Sequence, residues 1–286
     1  MDYIKPAEVI KNMVQTGAAK VALPVKDLLI RGFLSGALLA FSTSLAVGVS
    51  LQSVPPVGAL VFPVGFVIIL LLGLELVTGS FALVPVAGYH ERIPARRVLA
   101  NLGWVFLANL LGSLAYAGLL WISLSMSGQI APGALEEKIA AIAQAKTTAY
   151  SAHGSAGMLT VFTKAILCNW MVCLGVVMAM TSTSTLGKIV AAWLPVFIFF
   201  AQGYEHAVVN MFVIPAGMMF GAKVSLVDWW FWNQIPVTLG NFLGGLLFTG
   251  LALYATYGPA KAAASEKVAA ADEALPMAEE WLPENR

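Results

Sequence analysis

The chain has 286 residues, 59% of them hydrophobic and only 11% charged, with a net charge of +1. Soluble domains carry about 25% charged residues, so the composition excludes an ordinary soluble protein, and the small net charge gives a nucleic-acid partner no footing. A polytopic membrane protein remains, its long apolar runs spanning the bilayer as helices of about 20 residues.

In chain order, residues 6–21 come first. Ile10, Met13, Val14, Gly17 and Val21 share one face, with Lys11 and Lys20 elsewhere, which predicts an amphipathic helix on the membrane surface. Residues 1–26 form this N-terminal unit. MDYIKPAEVI lacks the basic-then-apolar pattern of a signal peptide, so the first span is expected to serve as its own insertion signal. Apolar segments follow at 28–50, 57–89, 98–125, 157–180, 188–220 and 233–257, giving a six-span unit over 27–258. The second and fifth segments are too long for one simple span. The loop at 126–156 is the longest between spans, and residues 259–286 form an alanine-rich, acidic tail.

With both termini in the cytoplasm, twelve of the sixteen basic residues fall inside. Lys138, Lys146, Lys164 and Lys223 fall outside. That follows the positive-inside rule for an inner or plasma membrane protein. Trp229, Trp230, Phe231 and Trp232 then mark the outer interface. Cys168 and Cys173, five residues apart on one span, point to different faces and read as packing residues rather than a metal pair. No metal site or cofactor is indicated.

The two long segments resemble each other. LGLELVTGSFALVPVAG (72–88) and AQGYEHAVVNMFVIPAG (201–217) each place a glutamate, Glu75 or Glu205, ten residues before a proline, Pro85 or Pro215. The following helices carry NLLGSL at Asn109 and NFLGGL at Asn241, 34 and 36 residues after those glutamates. Three spans per half make the second half enter from the opposite side. The fold class is therefore all-α integral membrane, an inverted 3+3 repeat with helices two and five broken.

Gly73, Glu75 and Gly79 interrupt the first long segment, and Gly203 and Glu205 the second. Such interruptions in lipid must be buried in protein or line a cavity. Half-helix N-termini expose N–H groups that favour anions. His206 is the one histidine inside a span and can donate a hydrogen bond or exchange a proton. Negative charge lining an anion path would oppose its use, so Glu75 and Glu205 are read as supports, accepting backbone N–H bonds that hold each break. Asn169, Asn210 and Asn241 fit either interhelical hydrogen bonding or a polar path.

GLELVTGS (73–80), AILCNWMVCLG (165–175), GYEHAVVNM (203–211) and GNFLGG (240–245), in this order, resemble the signatures of the formate/nitrite transporter family over most of residues 1–258. The resemblance implies an aquaporin-like fold, a homopentamer in the lipid bilayer with one pore per protomer, and formate as the small-anion substrate. It also implies roles: His206 as the central pore histidine, Thr78 in the mobile loop at the first break, and Phe62, Phe66, Leu76 and Phe199 at two hydrophobic constrictions. Asn169 and Asn210 match polar residues at or near the pore. Two departures stand out. The family's outer-vestibule lysine aligns without gaps on His153, and Lys146 takes that place only with an insertion, while Lys164 falls too far into the helix. Val77 replaces an aromatic residue of the loop motif.

Nitrite and hydrosulfide are the rival substrates within the family, with lactate behind them. A haem-binding membrane enzyme would need paired histidines within spans, and a water or glycerol pore its paired Asn-Pro-Ala motifs. Neither pattern is present, so a channel or transporter, not an enzyme, is expected.

Overall fold

The computed structural model describes residues 2–258; the tail expected at 259–286 lies outside the described residues. The described chain is helical, its one extended feature an isolated bridge between Tyr3 and Ser182. The helices are α1 Pro6–Ala22, α2 Val25–Gln52, α3 Pro55–Val61, α4 Pro63–Leu71, α5 Val77–His90, α6 Ala95–Ser125, α7 Ala134–Ala145, α8 Thr148–Ser151, α9 Gly154–Ala179, α10 Thr185–Ala201, α11 Ala207–Met219 and α12 Leu226–Tyr257. Four of them, α2, α6, α9 and α12, are long and apolar enough to cross a membrane. Leu34, Phe41, Leu111, Ile122, Leu239 and Phe248 on these helices are exposed, as suits surfaces meeting lipid or another subunit.

Helix ends follow local chemistry. Prolines open α1, α3 and α4, where a missing N–H costs nothing. Pro63 also separates α3 from α4 at Phe62, an interruption the apolar pattern of 57–89 does not announce. Ser184 caps α10, and Ser225 with Asp228 forms a capping box on α12. Helix α12 contains two π-helical stretches, Trp230–Gln234 and Gly244–Leu251, on either side of Asn241.

The likeness between the two halves extends beyond the matched sequence segments. Helix α1 packs on α5, and α7, inside the segment read as a loop, packs on α11 in the same way. Leu135, Ile139, Ile142 and Ala143 give α7 an apolar face as short as a turn-rich loop can hide. Helix α6 lies along α2 so closely that a Cβ on Gly112 would collide with the Phe33 carbonyl. Gly244 of α12 stands in the same relation to the Ile166 carbonyl of α9.

The apolar face of α1 is filled by protein rather than lipid. Val9, Ile10, Met13 and Val14 pack with Ala82, Leu83, Val86, Cys173 and Val177. Ahead of it, the Asp2 carboxylate accepts hydrogen bonds from Ser182 Oγ at 2.7 Å, Thr183 Oγ1 at 2.8 Å and the Thr183 and Ser184 amides at 2.6 Å each. The Ser182 hydroxyl, then the Thr183 hydroxyl, hold the Asp2 carboxyl down at about 2. This clasp ties the N-terminus to the α9–α10 turn.

Candidate functional site

Two breaks organise the interior. The first runs from the end of α4 at Leu71 to the start of α5 at Val77; the second runs from Ala201 of α10 to Ala207 of α11. Gly73 (φ +62°) and Gly203 (φ +64°) turn the chain in the left-handed region at equivalent places. Leu76 and His206 then occupy the extended cap position before the next helix.

One asparagine holds each break. Asn109 Oδ1 accepts the Val77 N–H at 2.9 Å, and its Nδ2 donates to the Glu75 and Gly32 carbonyls at 2.8 Å each. Asn241 Oδ1 accepts the Ala207 N–H at 2.8 Å, and its Nδ2 donates to the Glu205 carbonyl at 2.9 Å and the Ala165 carbonyl at 2.8 Å. Each amide thus satisfies an orphan helix-start N–H and an orphan loop carbonyl, groups that are costly to bury unpaired.

The glutamate side chains do something else. They accept from side chains, not from the backbone N–H groups expected. Glu75, 2% exposed, receives Lys20 Nζ at 2.9 and 2.8 Å. Glu205, equally buried, receives Lys146 Nζ at 2.8 Å, Tyr150 Oη at 2.9 Å, Asn210 Nδ2 at 2.8 Å and Asn233 Nδ2 at 3.3 Å. The reason is positional: the asparagines already take the backbone groups, and a buried carboxylate needs a cation. Lys146 occupies the place beside Glu205, while His153 caps α9 with its side chain exposed.

Between the breaks, Thr78 Oγ1 lies 3.0 Å from His206 Nε2. His206 Nδ1 accepts the Val209 N–H at 3.2 Å, which assigns the ring proton to Nε2. Asn169 Nδ2 donates to the Thr78 carbonyl at 3.1 Å and the Asn241 carbonyl at 2.7 Å, joining the two systems, and Cys173 Sγ donates to the same Thr78 carbonyl at 3.2 Å. The side-chain oxygens of Asn169 and Asn210 are buried without a protein partner. Aromatic rings wall the site. Phe199 stacks on His206 with centroids 5.5 Å apart, and Phe62 meets Phe199 edge-on at 5.6 Å.

Beside the first break lies a cavity of about 350 Å³. Phe66, Leu76 and Gly79 line it with Glu75, and its cations are Lys20, Arg31 and Lys188. Phe66 and Leu76 also belong to the apolar cluster that contains Phe62 and Phe199. Among the described residues there is no cluster of three metal-ligating side chains.

The structure therefore brings together Thr78, His206, Asn169, Phe62 and Phe199, places Phe66 and Leu76 on the adjoining cavity, and sets Asn210 at Glu205 rather than at His206. Lys20, Tyr150 and Asn233 join the breaks without having been singled out as site residues. Lys20 lies off the apolar stripe of α1, which is the one signal the sequence offers for it.

The family model described as formate/nitrite transporter matches residues 7–255. The chain is 32% identical over 265 residues to the formate channel BtFdhC of Bacillus thuringiensis, covering 90% of this chain and 97% of the relative. A solved structure described as an FNT family ion channel superposes with a TM-score of 0.76 at 26% identity, covering 87% of this chain and 98% of the other. A second, described as a pentameric formate channel with formate bound, gives a TM-score of 0.68 at 26% identity over 82% of this chain and 97% of the other.

Proposed function

This chain belongs to the formate/nitrite transporter family, and from that premise we propose that it conducts small monovalent anions across a membrane, with formate as its principal substrate. In this reading α2, α3–α5, α6, α9, α10–α11 and α12 are six spans of an inverted repeat, with helices two and five broken. Both termini face the cytoplasm, as the twelve-to-four distribution of basic residues supports. The pentameric formate channel among its structural relatives supports a homopentamer with one path per protomer.

The observation that carries the reading is the Thr78–His206 contact of 3.0 Å between two half-helix starts, closed in by Phe62 and Phe199. The path offers an anion neutral donors: Nε2–H, the Thr78 hydroxyl and the N–H groups of Thr78 and Gly79, the Val77 N–H being held by Asn109. Its negative groups are balanced, Glu75 by Lys20 and Glu205 by Lys146. A bare charge is opposed in the dry aromatic section, where it loses its hydration. Formate takes up a proton on the approach, passes His206 and Thr78 as neutral formic acid, and releases the proton on the far side. One proton thus moves with each formate.

The test is uptake of labelled formate into proteoliposomes, with nitrite, hydrosulfide, lactate and glycerol as competitors. Saturable formate uptake, inhibited by small anions and not by glycerol, is the expected result. Rapid nitrite or hydrosulfide flux without formate flux overturns the substrate, and absence of any anion flux overturns the function.

A further inference from the structure

The two halves anchor their buried lysines in the same way. Asn101 Nδ2 donates to the Lys20 carbonyl at 2.9 Å, and Asn233 Nδ2 donates to the Lys146 carbonyl at 2.8 Å. Each lysine pairs with the glutamate of its own break. Asn101 and Asn233 stand eight residues before Asn109 and Asn241, on α6 and α12. Lys20 is therefore the counterpart of Lys146, and Asn101 of Asn233.

One position breaks the likeness. The fourth residue of α11 is Asn210 and the fourth residue of α5 is Ser80, each five residues after its glutamate. Asn210 Nδ2 donates to Glu205 Oε2 and to Asn233 Oδ1, at 2.8 Å each, and so links the carboxylate to the asparagine on α12. A serine is too short to make that link. Ser80 and Asn101 are 0% and 3% exposed, and Ser80 Oγ and Asn101 Oδ1 have no protein partner. The bond from Asn101 Nδ2 to the Lys20 carbonyl fixes which end of that amide is the oxygen. Among the described residues Glu75 accepts hydrogen bonds from Lys20 alone. Its carboxylate and the Asn101 oxygen are both acceptors, so neither can satisfy the other, and buried oxygens of this kind call for a donor.

We propose that Ser80, Asn101 and Glu75 form a binding site for one buried water molecule, which does in the first half what the Asn210 amide does in the second. The water donates to Asn101 Oδ1 and to the Glu75 carboxylate and accepts the Ser80 hydroxyl proton. That makes three hydrogen bonds, the usual number for a buried water. The occupant is neutral, because Lys20 already balances Glu75 and a second cation beside its ammonium group would be repelled. Glu75 and Lys20 also line the cavity of about 350 Å³, which gives the water a way in and out. The break between α4 and α5 is thus fastened through an exchangeable molecule, and the break between α10 and α11 through a side chain. The site does not depend on what the chain conducts.

The experiment images the full-length chain in nanodiscs at a resolution that shows ordered water, and measures thermal midpoints of reciprocal variants. In the wild type one density peak is expected within hydrogen-bond reach of Ser80 Oγ, Asn101 Oδ1 and the Glu75 carboxylate. S80N removes the peak, raises the midpoint by a few degrees and slows hydrogen exchange in the first turn of α5. N210S does the reverse in the other half, where a peak appears beside Glu205. The gain from S80N vanishes in an N101A background, which separates the bridge from a general improvement in helix packing. A wild-type map without the peak, or a gain from S80N that persists with N101A, overturns the proposal. So does a wild-type midpoint that falls when choline replaces sodium, since the occupant is then a metal cation. The wild-type map decides alone where S80N fails to fold.

Discussion

Asn109 and Asn241 make the same three hydrogen bonds in opposite halves of the chain, each accepting the first N–H of a half-helix and donating to two carbonyls. Their replacement should expose what the breaks depend on. Asn109→Ala or Asn241→Ala strands a buried N–H and two carbonyls and should cost about 1–3 kcal/mol. A lower thermal midpoint in detergent is expected for both. Wild-type midpoints in both variants would mean that water or lipid replaces the amide.

The two glutamates should not be equivalent. Glu205 is held by four side-chain donors and Glu75 by one. Glu205→Gln leaves Lys146 without its counter-ion and disturbs three further partners, an uncompensated loss on the order of 3–5 kcal/mol before allowance for the partial exposure of Lys146. Glu75→Gln lets Lys20 turn into the adjoining cavity and should cost less. Thermal unfolding of the two variants side by side checks the order, and an equal or reversed order rejects it.

His206→Ala removes the ring that stacks on Phe199 and faces Thr78. Electrogenic anion current should rise and proton coupling should be lost. Internal pH recorded during formate uptake into proteoliposomes measures the coupling and planar bilayers the current, and unchanged coupling would remove His206 from the proton's route.

The N-terminal clasp should resist mild acid. The Asp2 carboxyl titrates at about 2 in the folded chain against an ordinary 3.8. A depressed value means its contribution is complete above the ordinary value and drains away as pH falls through about 2. The Ile4 amide, bonded to the Thr181 carbonyl at 2.8 Å, should therefore keep its protection against hydrogen exchange between pH 7 and pH 5. Asp2→Asn should lower that protection at neutral pH. Loss of protection in the wild type near pH 6 would assign the clasp to another group.

The repeat was legible because its markers are local. Glu75 and Glu205, Pro85 and Pro215, Asn109 and Asn241 recur at matched spacing, and a buried glutamate in an apolar run is rare enough to notice. The partners were not legible. Lys20 reaches Glu75 across 55 residues and Lys146 reaches Glu205 across 59, and periodicity within a helix is silent about contacts at that range. His153 stands at the start of α9 and Lys146 at Glu205, a difference that counting residues back from Asn169 does not report. Helix α7 escaped notice because the face marked by Leu135, Ile139 and Ile142 runs over only twelve residues, too few to span a bilayer. Asn233 depends on a π-helical stretch of α12, a register shift that no hydrophobic pattern reports.

The ion pairs sort the molecule's contacts by half. Glu75 draws its lysine from α1 and Glu205 from the segment following α7, each within its own half, and each asparagine likewise serves the break of its own half. Besides the Asp2 clasp and the His90–Tyr254 bond at the edge, the bonds that cross between halves in the interior meet at Thr78, reached by His206, Asn169 and Cys173. Histidine stands in one half where leucine stands in the other, and threonine in one where valine stands in the other. The halves share a frame, and their difference at these few positions gives the chain a centre that neither half has alone.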